Sequence, residues 1–303
     1  MSRVAYVNGR YAPLHDPLIG VLDRGFQFSD AVYEVWPVRD GGLLDADGHV
    51  TRLRRSLREL SIAMPMEEAA LLAVARETLR RNRVRDGIVY LQISRGRPRR
   101  RDHSFPRNGV APTVVMTAEA IDPRMQEARA ARGVSAITAP DIRWGRCDIK
   151  TVALLPNAMA REMAKQRGGA EAIFVDAAGR ITEGAATNVF LVDKHGVLRT
   201  RDLTANILAG ITRDAVIAAA AQLQMRVEEG PFSVVDALAG RELILTSAGM
   251  AATAVVALDG AAIGSGAPGP VAKALRGAYF AVARAAAKRQ GQASVADQGG
   301  EKL

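Results

Sequence analysis

The chain has 303 residues, 48% of them hydrophobic, enough for two domains of ordinary size with real cores. Its formal charge of +9 rests on 41 basic residues, of which six are lysines, leaving 35 arginines. One cysteine, Cys147, excludes an intrachain disulfide, four histidines give no zinc-ligand spacing, and the longest apolar run, residues 215–221, is too short to cross a bilayer. With no apolar leader-like stretch in MSRVAYVNGR, these features read as a soluble, cytoplasmic protein.

In chain order, the first forty residues read as hairpins. AYVNGRYA turns at Asn8 and Gly9, and VYEVWPVRDGGLLDAD turns at Asp40, Gly41 and Gly42 between alternating strands. Leu53, Leu57 and Leu60 recur at helical spacing after His49, and residues 67–82 form a second amphipathic helix. Residues 88–94 and 112–118 read as strands around a Pro/Arg-rich loop. Strand character fades between Glu119 and Arg132, which places a linker at 121–132 between a small domain, 1–120, and a larger one, 133–288. The larger domain mixes five strands (VSAITA, EAIFVD, NVFLVD, ELILTS, TAVVAL) with helices near 157–167, 212–224 and 270–288, and a disordered tail is expected over 289–303. The order is α+β: helices and strands do not alternate regularly, and no GxGxxG or Walker sequence suggests a doubly wound nucleotide fold.

Arginine clusters at 52–58, 76–85 and 95–101 raise the question of nucleic acid. Without interleaved aromatics or a recognition-helix signature, they read as solvated faces, with neither a nucleic acid nor a membrane as partner.

In a composition so biased to arginine, each lysine is informative, because an ammonium can lose its proton and attack a carbonyl whereas a guanidinium cannot. Lys165, Lys194, Lys273, Lys288 and Lys302 lie in polar helical, turn or tail contexts. Lys150 ends DIRWGRCDIK in an apolar-flanked stretch, where burial would favour a nucleophile; an ion pair with Asp148 or a strand-edge charge is the plainer reading. Two further patterns suit a carbonyl cofactor. Gly210 and Thr212, the latter read as a helix N-cap, offer the NH groups of Ile211 and Thr212 to an anion, with Arg52 among several possible counter-charges. Glu183, between a strand and a small-residue loop, suits a protonated ring nitrogen or is simply a turn residue.

The strings DRGFQFSDAVYEV, SRG followed by RDHSFP, DIRWGRCDIKT, ITEGAATNV and LAGITRD, in that order, resemble the fold-type IV pyridoxal-phosphate enzymes and, more narrowly, their D-amino-acid transaminase branch. The resemblance runs from about Ala5 to about Lys288. It implies a small N-terminal α/β domain and a larger C-terminal pseudo-barrel α/β domain with pyridoxal 5'-phosphate between them. It further implies that Lys150 forms the Schiff base and moves the substrate proton, and that Glu183 faces the pyridine nitrogen. Arg52, Ile211 and Thr212 would hold the phosphate, and Leu208 would pack against the ring. Where the family carries a threonine after Thr-Ser, this chain has Ala248, which removes a hydroxyl and leaves a backbone NH.

Substrate recognition would fall to Tyr33, Arg101 and His103, which resemble a carboxylate trap whose Arg and His come from the neighbouring subunit; a homodimer follows. Arg99 and Arg100 crowd the same loop, and alignment on HSFP selects Arg101. The implied reaction exchanges the amino group of a D-amino acid such as D-alanine with a 2-oxo acid such as 2-oxoglutarate. A branched-chain L-amino-acid transaminase and an aminodeoxychorismate lyase share the fold, but Tyr33 with the Arg-x-His loop argues against both. A nucleic-acid-binding protein on a retired scaffold is disfavoured because Lys150 and Glu183 are both retained.

Overall fold

The computed structural model describes residues 3–106, 109–204 and 206–282. The described chain divides into two compact units. One holds the residues up to Asp122 together with Ile149–Ala153, and the other holds Pro123–Asp148 and Leu154–Val282.

The first unit is built on β1 (Val4–Val7), β2 (Arg10–Pro13), helix α1 (Arg24–Phe28), β3 (Ala31–Arg39), β4 (Gly42–Leu43), helices α2 (Ala46–Glu59) and α3 (Glu68–Asn82), β5 (Gly87–Ser94) and β6 (Thr113–Ala120). Its sheet runs β2-β1-β6-β5-β3-β4 with every neighbouring pair antiparallel. Asn8 and Gly9 close the first hairpin with positive φ at both positions, as an Asn-Gly type I′ turn requires, and Asp40 and Gly41 do the same for the second. In β5 alternate residues are buried, so one face packs under α2 and α3, where Trp36, Leu53, Leu57, Leu71, Leu91 and Met116 fill the core. Helix α1 interrupts the stretch expected to be hairpin. It is capped by the Asp23 side chain, which accepts from the Gly25 NH, and it ends in a left-handed Ser29.

The second unit contains helix α4 (Pro123–Arg132), β7 (Val134–Pro140), α5 (Leu155–Gln166), β8 (Glu171–Val175), β9 (Ile181–Gly184), β10 (Asn188–Val192), β11 (Leu198–Thr200), α6 (Ile211–Gln222), β12 (Val227–Glu229), α7 (Val234–Ala239), β13 (Glu242–Ser247), β14 (Ala251–Leu258) and β15 (Ala261–Ala262), with a further helix through 270–282. Residues 121–132, expected as a linker, are therefore largely helical. Pro123 starts α4, where a missing NH costs nothing. The end of the last helix expected beyond 282 and the tail from 289 lie outside the described residues.

The sheet order here is β12-β11-β10-β13-β14-β7-β8-β9, with β15 on β14; the pairs β11/β12, β14/β7 and β7/β8 are parallel. Five strand steps separate β10 from β9, about 24 Å in a flat sheet. Only residues 185–187 link them in sequence, and such a link reaches at most about 15 Å. The sheet must curl back on itself, and β9 does lie against β10. Both faces are covered: Val189, Leu191, Leu243 and Leu245 pack with Phe232 and Ala237, while Phe190, Val192 and Ile244 pack with Val216, Ala219, Ala220 and Leu275. The seam of this part-barrel carries Glu183 on one side and Asn188 on the other.

Candidate active site

In the first unit β4 pairs only with the Val38–Arg39 end of β3, leaving the other end of that edge to Ile149–Ala153. Tyr33 NH donates to Lys150 O (3.0 Å), Val152 NH donates to Ala31 O (3.2 Å), and Val32 bridges Thr151. Ile149 and Thr151 are buried, while Lys150 is half-buried with Nζ 4.2 Å from the Tyr33 ring centroid. The Tyr33 ring lies 5.7 Å from that of Tyr90, whose hydroxyl donates to Gln92 Oε1 and is pushed up to about 12 by burial and by Tyr33. Asp148, the alternative ion-pair partner weighed for Lys150, accepts instead from Arg146 at 2.9 and 3.0 Å.

Arg52 sits nearly two turns into α2 and is buried. Its Nε and Nη2 fork onto Glu34 Oε1 and Oε2, both at 2.8 Å, and His49 Nδ1 is 2.7 Å from Glu34 Oε2. Burial pushes the Glu34 carboxyl up, but the Arg52 charge and the hydrogen bonds from Arg52 and His49 outweigh it and bring it down to about 2. His49 is pushed down, first by burial and also by the charges of Arg52 and Lys150, against the pull of Glu34.

The Arg-x-His loop belongs to the same unit. The Arg101 guanidinium lies 4.6 Å from the Phe28 ring centroid, and the His103 ring centroid is 5.2 Å from that of Phe28. Arg100 instead faces Asp102 at 4.0 Å, so the structure distinguishes the two neighbouring arginines. Both Arg101 and His103 are exposed, and none of their hydrogen bonds or ring contacts among the described residues reaches Tyr33 or Lys150. Beneath the loop is a residue that sequence reasoning missed. Arg24, buried in α1, donates to the carbonyls of Asp102 (2.5 Å), His103 (3.1 Å) and Ser104 (3.2 Å) and to Asp30 Oδ2 (2.6 Å).

In the second unit Glu183 is buried on β9. Its Oε2 accepts from Asn188 Nδ2 (3.0 Å) and from Leu208 NH (3.1 Å), and its Oε1 accepts from Arg143 Nη1. Arg143 also forks onto Asp141 through Nε (2.9 Å) and Nη2 (2.7 Å), and Thr182 Oγ1 donates to Asp141 Oδ2. Burial alone would raise Asp141; the hydrogen bonds from Arg143 and Thr182 reverse that and lower it. The same carboxylates overcome burial to push Arg143 up. Arg143 lies inside a motif read for its lysine and was not singled out. Cys147 is half-buried, its thiol against Trp144 O (3.1 Å), and burial raises it to about 11.

Helix α6 begins at Ile211 with Gly210 as its N-cap, two residues before a Thr212 cap would place it. Thr212 is thus inside the first turn, and the NH groups of Ile211 and Thr212 are both first-turn donors with no intrahelical acceptor. A Cβ on Gly210 would stand 2.0 Å from Asn188 Oδ1, so only glycine lets the helix start approach the Asn188 amide that holds Glu183. Leu208 is half-buried, its carbonyl accepting from Asn188 Nδ2 (3.0 Å). Ala248 is half-buried in the β13/β14 turn; of the two hydroxyls just before it, Ser247 Oγ accepts from Met250 NH (3.2 Å), while Thr246 Oγ1 is buried and has no hydrogen-bond partner. Thr246 pairs in register with Asn188 across β13 and β10. Open NH donors at the helix start, a buried unpartnered hydroxyl and a buried carboxylate oriented by Arg143 and Asn188 to face a protonated ring nitrogen form a set that fits a phosphorylated pyridine.

Residues 31–258 match the family described as amino-transferase class IV. The D-alanine aminotransferase of Bacillus licheniformis is 38% identical over 266 residues, 88% of this chain and 92% of its own length. A branched-chain amino acid aminotransferase of T.th., solved with pyridoxamine 5'-phosphate, superposes with a TM-score of 0.83 at 25% identity, covering 92% of this chain and 93% of that one. The Escherichia coli branched-chain enzyme superposes at 0.84 with 24% identity over 93% and 95%, which speaks to the fold alone.

Proposed function

Because this chain belongs to the class IV aminotransferases, a pyridoxal-phosphate-dependent family with the fold-type IV architecture, we propose that it transfers the amino group of a D-amino acid such as D-alanine to a 2-oxo acid such as 2-oxoglutarate. Bound pyridoxal phosphate supplies the electron sink for the pair left when the Cα–H bond breaks. Lys150 Nζ holds the cofactor and takes the proton from the substrate Cα. Glu183, oriented by Arg143, Asn188 and the Leu208 NH, would keep the pyridine nitrogen protonated, and Leu208 would pack against the ring. Arg52 and the NH groups of Ile211 and Thr212 hold the phosphate, with the backbone at Ala248 beside them.

The observation that carries the D-amino-acid reading is the loop. Arg101 and His103 project from a backbone pinned by Arg24, and among the described residues none of their hydrogen bonds or ring contacts reaches Tyr33 or Lys150 of their own chain. They bind the substrate carboxylate of a second copy, Arg101 by its fork and His103 by a directed hydrogen bond, with Tyr33 of that copy completing the trap. A homodimer is the assembly this requires, and a cytoplasmic location suits it. Among the described residues no helix is long and apolar enough to cross a membrane.

The test offers the purified holoenzyme D-alanine and L-leucine separately with 2-oxoglutarate and measures turnover. D-alanine is expected to react and L-leucine to react poorly. Turnover of L-leucine alone overturns the reading in favour of the branched-chain alternative, which shares this fold.

A further inference from the structure

We propose that Arg24 is the positioning residue of the substrate-carboxylate loop, fixing where Arg101 and His103 stand without itself touching substrate. This rests on the proposed role of that loop. A guanidinium has five N–H donors in a rigid fork. In Arg24 one of them goes to Asp30 and three more converge on consecutive carbonyls, those of Asp102, His103 and Ser104. Three successive carbonyls aimed at one buried cation turn the side chains of that stretch the other way. Arg101, Asp102, His103 and Ser104 are accordingly all exposed although the backbone beneath them is held from inside.

The arrangement has a second anchor and a platform. Asp30 is shared: Arg95 donates Nε to Oδ2 (2.7 Å) and Nη2 to Oδ1 (3.0 Å), ties down the Leu60 and Ser61 carbonyls, and places its guanidinium 3.6 Å from the Phe105 ring centroid. Helix α1 is just long enough to put Arg24 and Phe28 four residues apart on one face. Phe28 then serves as the ring on which both Arg101 and His103 rest, with the Arg24 guanidinium 4.8 Å from the same centroid. Arg24 sets the backbone of the loop and Phe28 the direction of its two side chains. Lysine cannot replace Arg24. Its three donors radiate from one point rather than a planar fork, so it cannot reach Asp30 and all three carbonyls at once.

The test compares wild type, Arg24→Lys, Arg101→Ala and the double variant as holoenzymes. For Arg24→Lys, KM for both the amino acid and the 2-oxo acid is expected to rise about tenfold, equivalent to about 1.4 kcal/mol of lost binding, with kcat within about threefold of wild type. The cofactor absorbance is expected to be unchanged. In the Arg101→Ala background the same substitution should raise KM by clearly less than the roughly tenfold expected in wild type, because only His103 is left to position. Hydrogen–deuterium exchange of the amides of 99–105 should quicken in Arg24→Lys. An unchanged KM, effects that multiply in the double variant, or loss of the absorbance band together with KM and kcat would each overturn the proposal. Should wild type use L-leucine alone, the D-amino-acid reading fails by itself. Exchange at 99–105 then decides the bracing role, and an unchanged rate there overturns it.

Discussion

Each unit buries a glutamate against an arginine, but the two pairs work in opposite directions. In the first unit Glu34 is fully buried, its two oxygens taken by Arg52 and His49, so the carboxylate is an anchor and Arg52 is the group it presents. In the second, Arg143 spreads over Asp141 and Glu183, and Asn188 and the Leu208 NH complete the cradle, so there the arginine is the anchor and Glu183 is presented. The same chemistry, a forked guanidinium on a buried carboxylate, yields a cation for an anionic ligand in one case and an anion for a cationic ring in the other.

The sharpest way to break this comparison is to remove the charge of each glutamate. Glu183→Gln is expected to lower kcat by at least about a hundredfold, the scale of a lost acid–base function, while the cofactor still binds. Glu34→Gln should instead weaken cofactor binding and, by removing the charge that faces the buried Arg52 guanidinium, cost about 3 kcal/mol of stability in chemical denaturation. If both variants depress the same parameter, the assignment of opposite roles is wrong. Lys150→Ala stands outside the pair as a control: the borohydride-bleachable absorbance band should vanish, and a persistent band would remove Lys150 from its role.

Acid stability sharpens the first unit's side of the comparison. Glu34 falls from an ordinary value of 4.5 to about 2 in the folded chain, so its contribution to stability is fully present above pH 4.5 and is lost as the pH falls through about 2. His49 is pushed below 6.5, so the unfolded chain takes up a proton first and acidification below that value also favours unfolding. Denaturation midpoints followed from about pH 7 to about pH 2.5 should decline in the wild type and decline less steeply below pH 4.5 in Glu34→Gln. A parallel pair of curves would show that Glu34 is not the anchor. A smaller effect is expected of Gly210→Ala, whose methyl group would meet Asn188 Oδ1; about 1–3 kcal/mol of strain should appear as weaker cofactor retention.

How much of this was legible in the sequence depended on contrast. Lys150 was conspicuous because only five other lysines exist, and the bias that exposed it concealed Arg24 and Arg143 among 35 arginines. No periodicity marks a residue whose importance lies in three carbonyls far along the chain or in two carboxylates, one two residues before it and the other on β9. The Asn8-Gly9 turn, α3 and the β5/β6 pair were readable because turn chemistry and burial alternation are local. Helix α1, with five residues and an internal glycine, carries too little pattern to be distinguished from a turn, and α4 was hidden by a proline that in fact starts it. The helix start at Gly210 was displaced to Thr212 because threonine is a good cap in isolation, whereas the crowding by Asn188 that demands glycine is a contact between the helix start and β10.

The mildest prediction reads the charge balance of the second unit directly. Burial raises the Cys147 thiol to about 11, while the Arg143 charge pulls it down and Glu183, Asp141 and Asp148 push it up. At about pH 8 roughly one thiol in a thousand is then ionised, against about one in four for a free cysteine, so alkylation by iodoacetamide should run more than about a hundredfold slower than with a free thiol. Glu183→Gln removes one of the three carboxylates and leaves the arginine in place, so the thiol should fall and alkylation should quicken. If Arg143 is the anchor and its charge is spent on two carboxylates, the thiol senses the loss of either one. Equal alkylation rates in wild type and Glu183→Gln would mean that Arg143 does not hold Glu183 in solution, and the contrast between the two units would collapse to a single buried pair around Glu34.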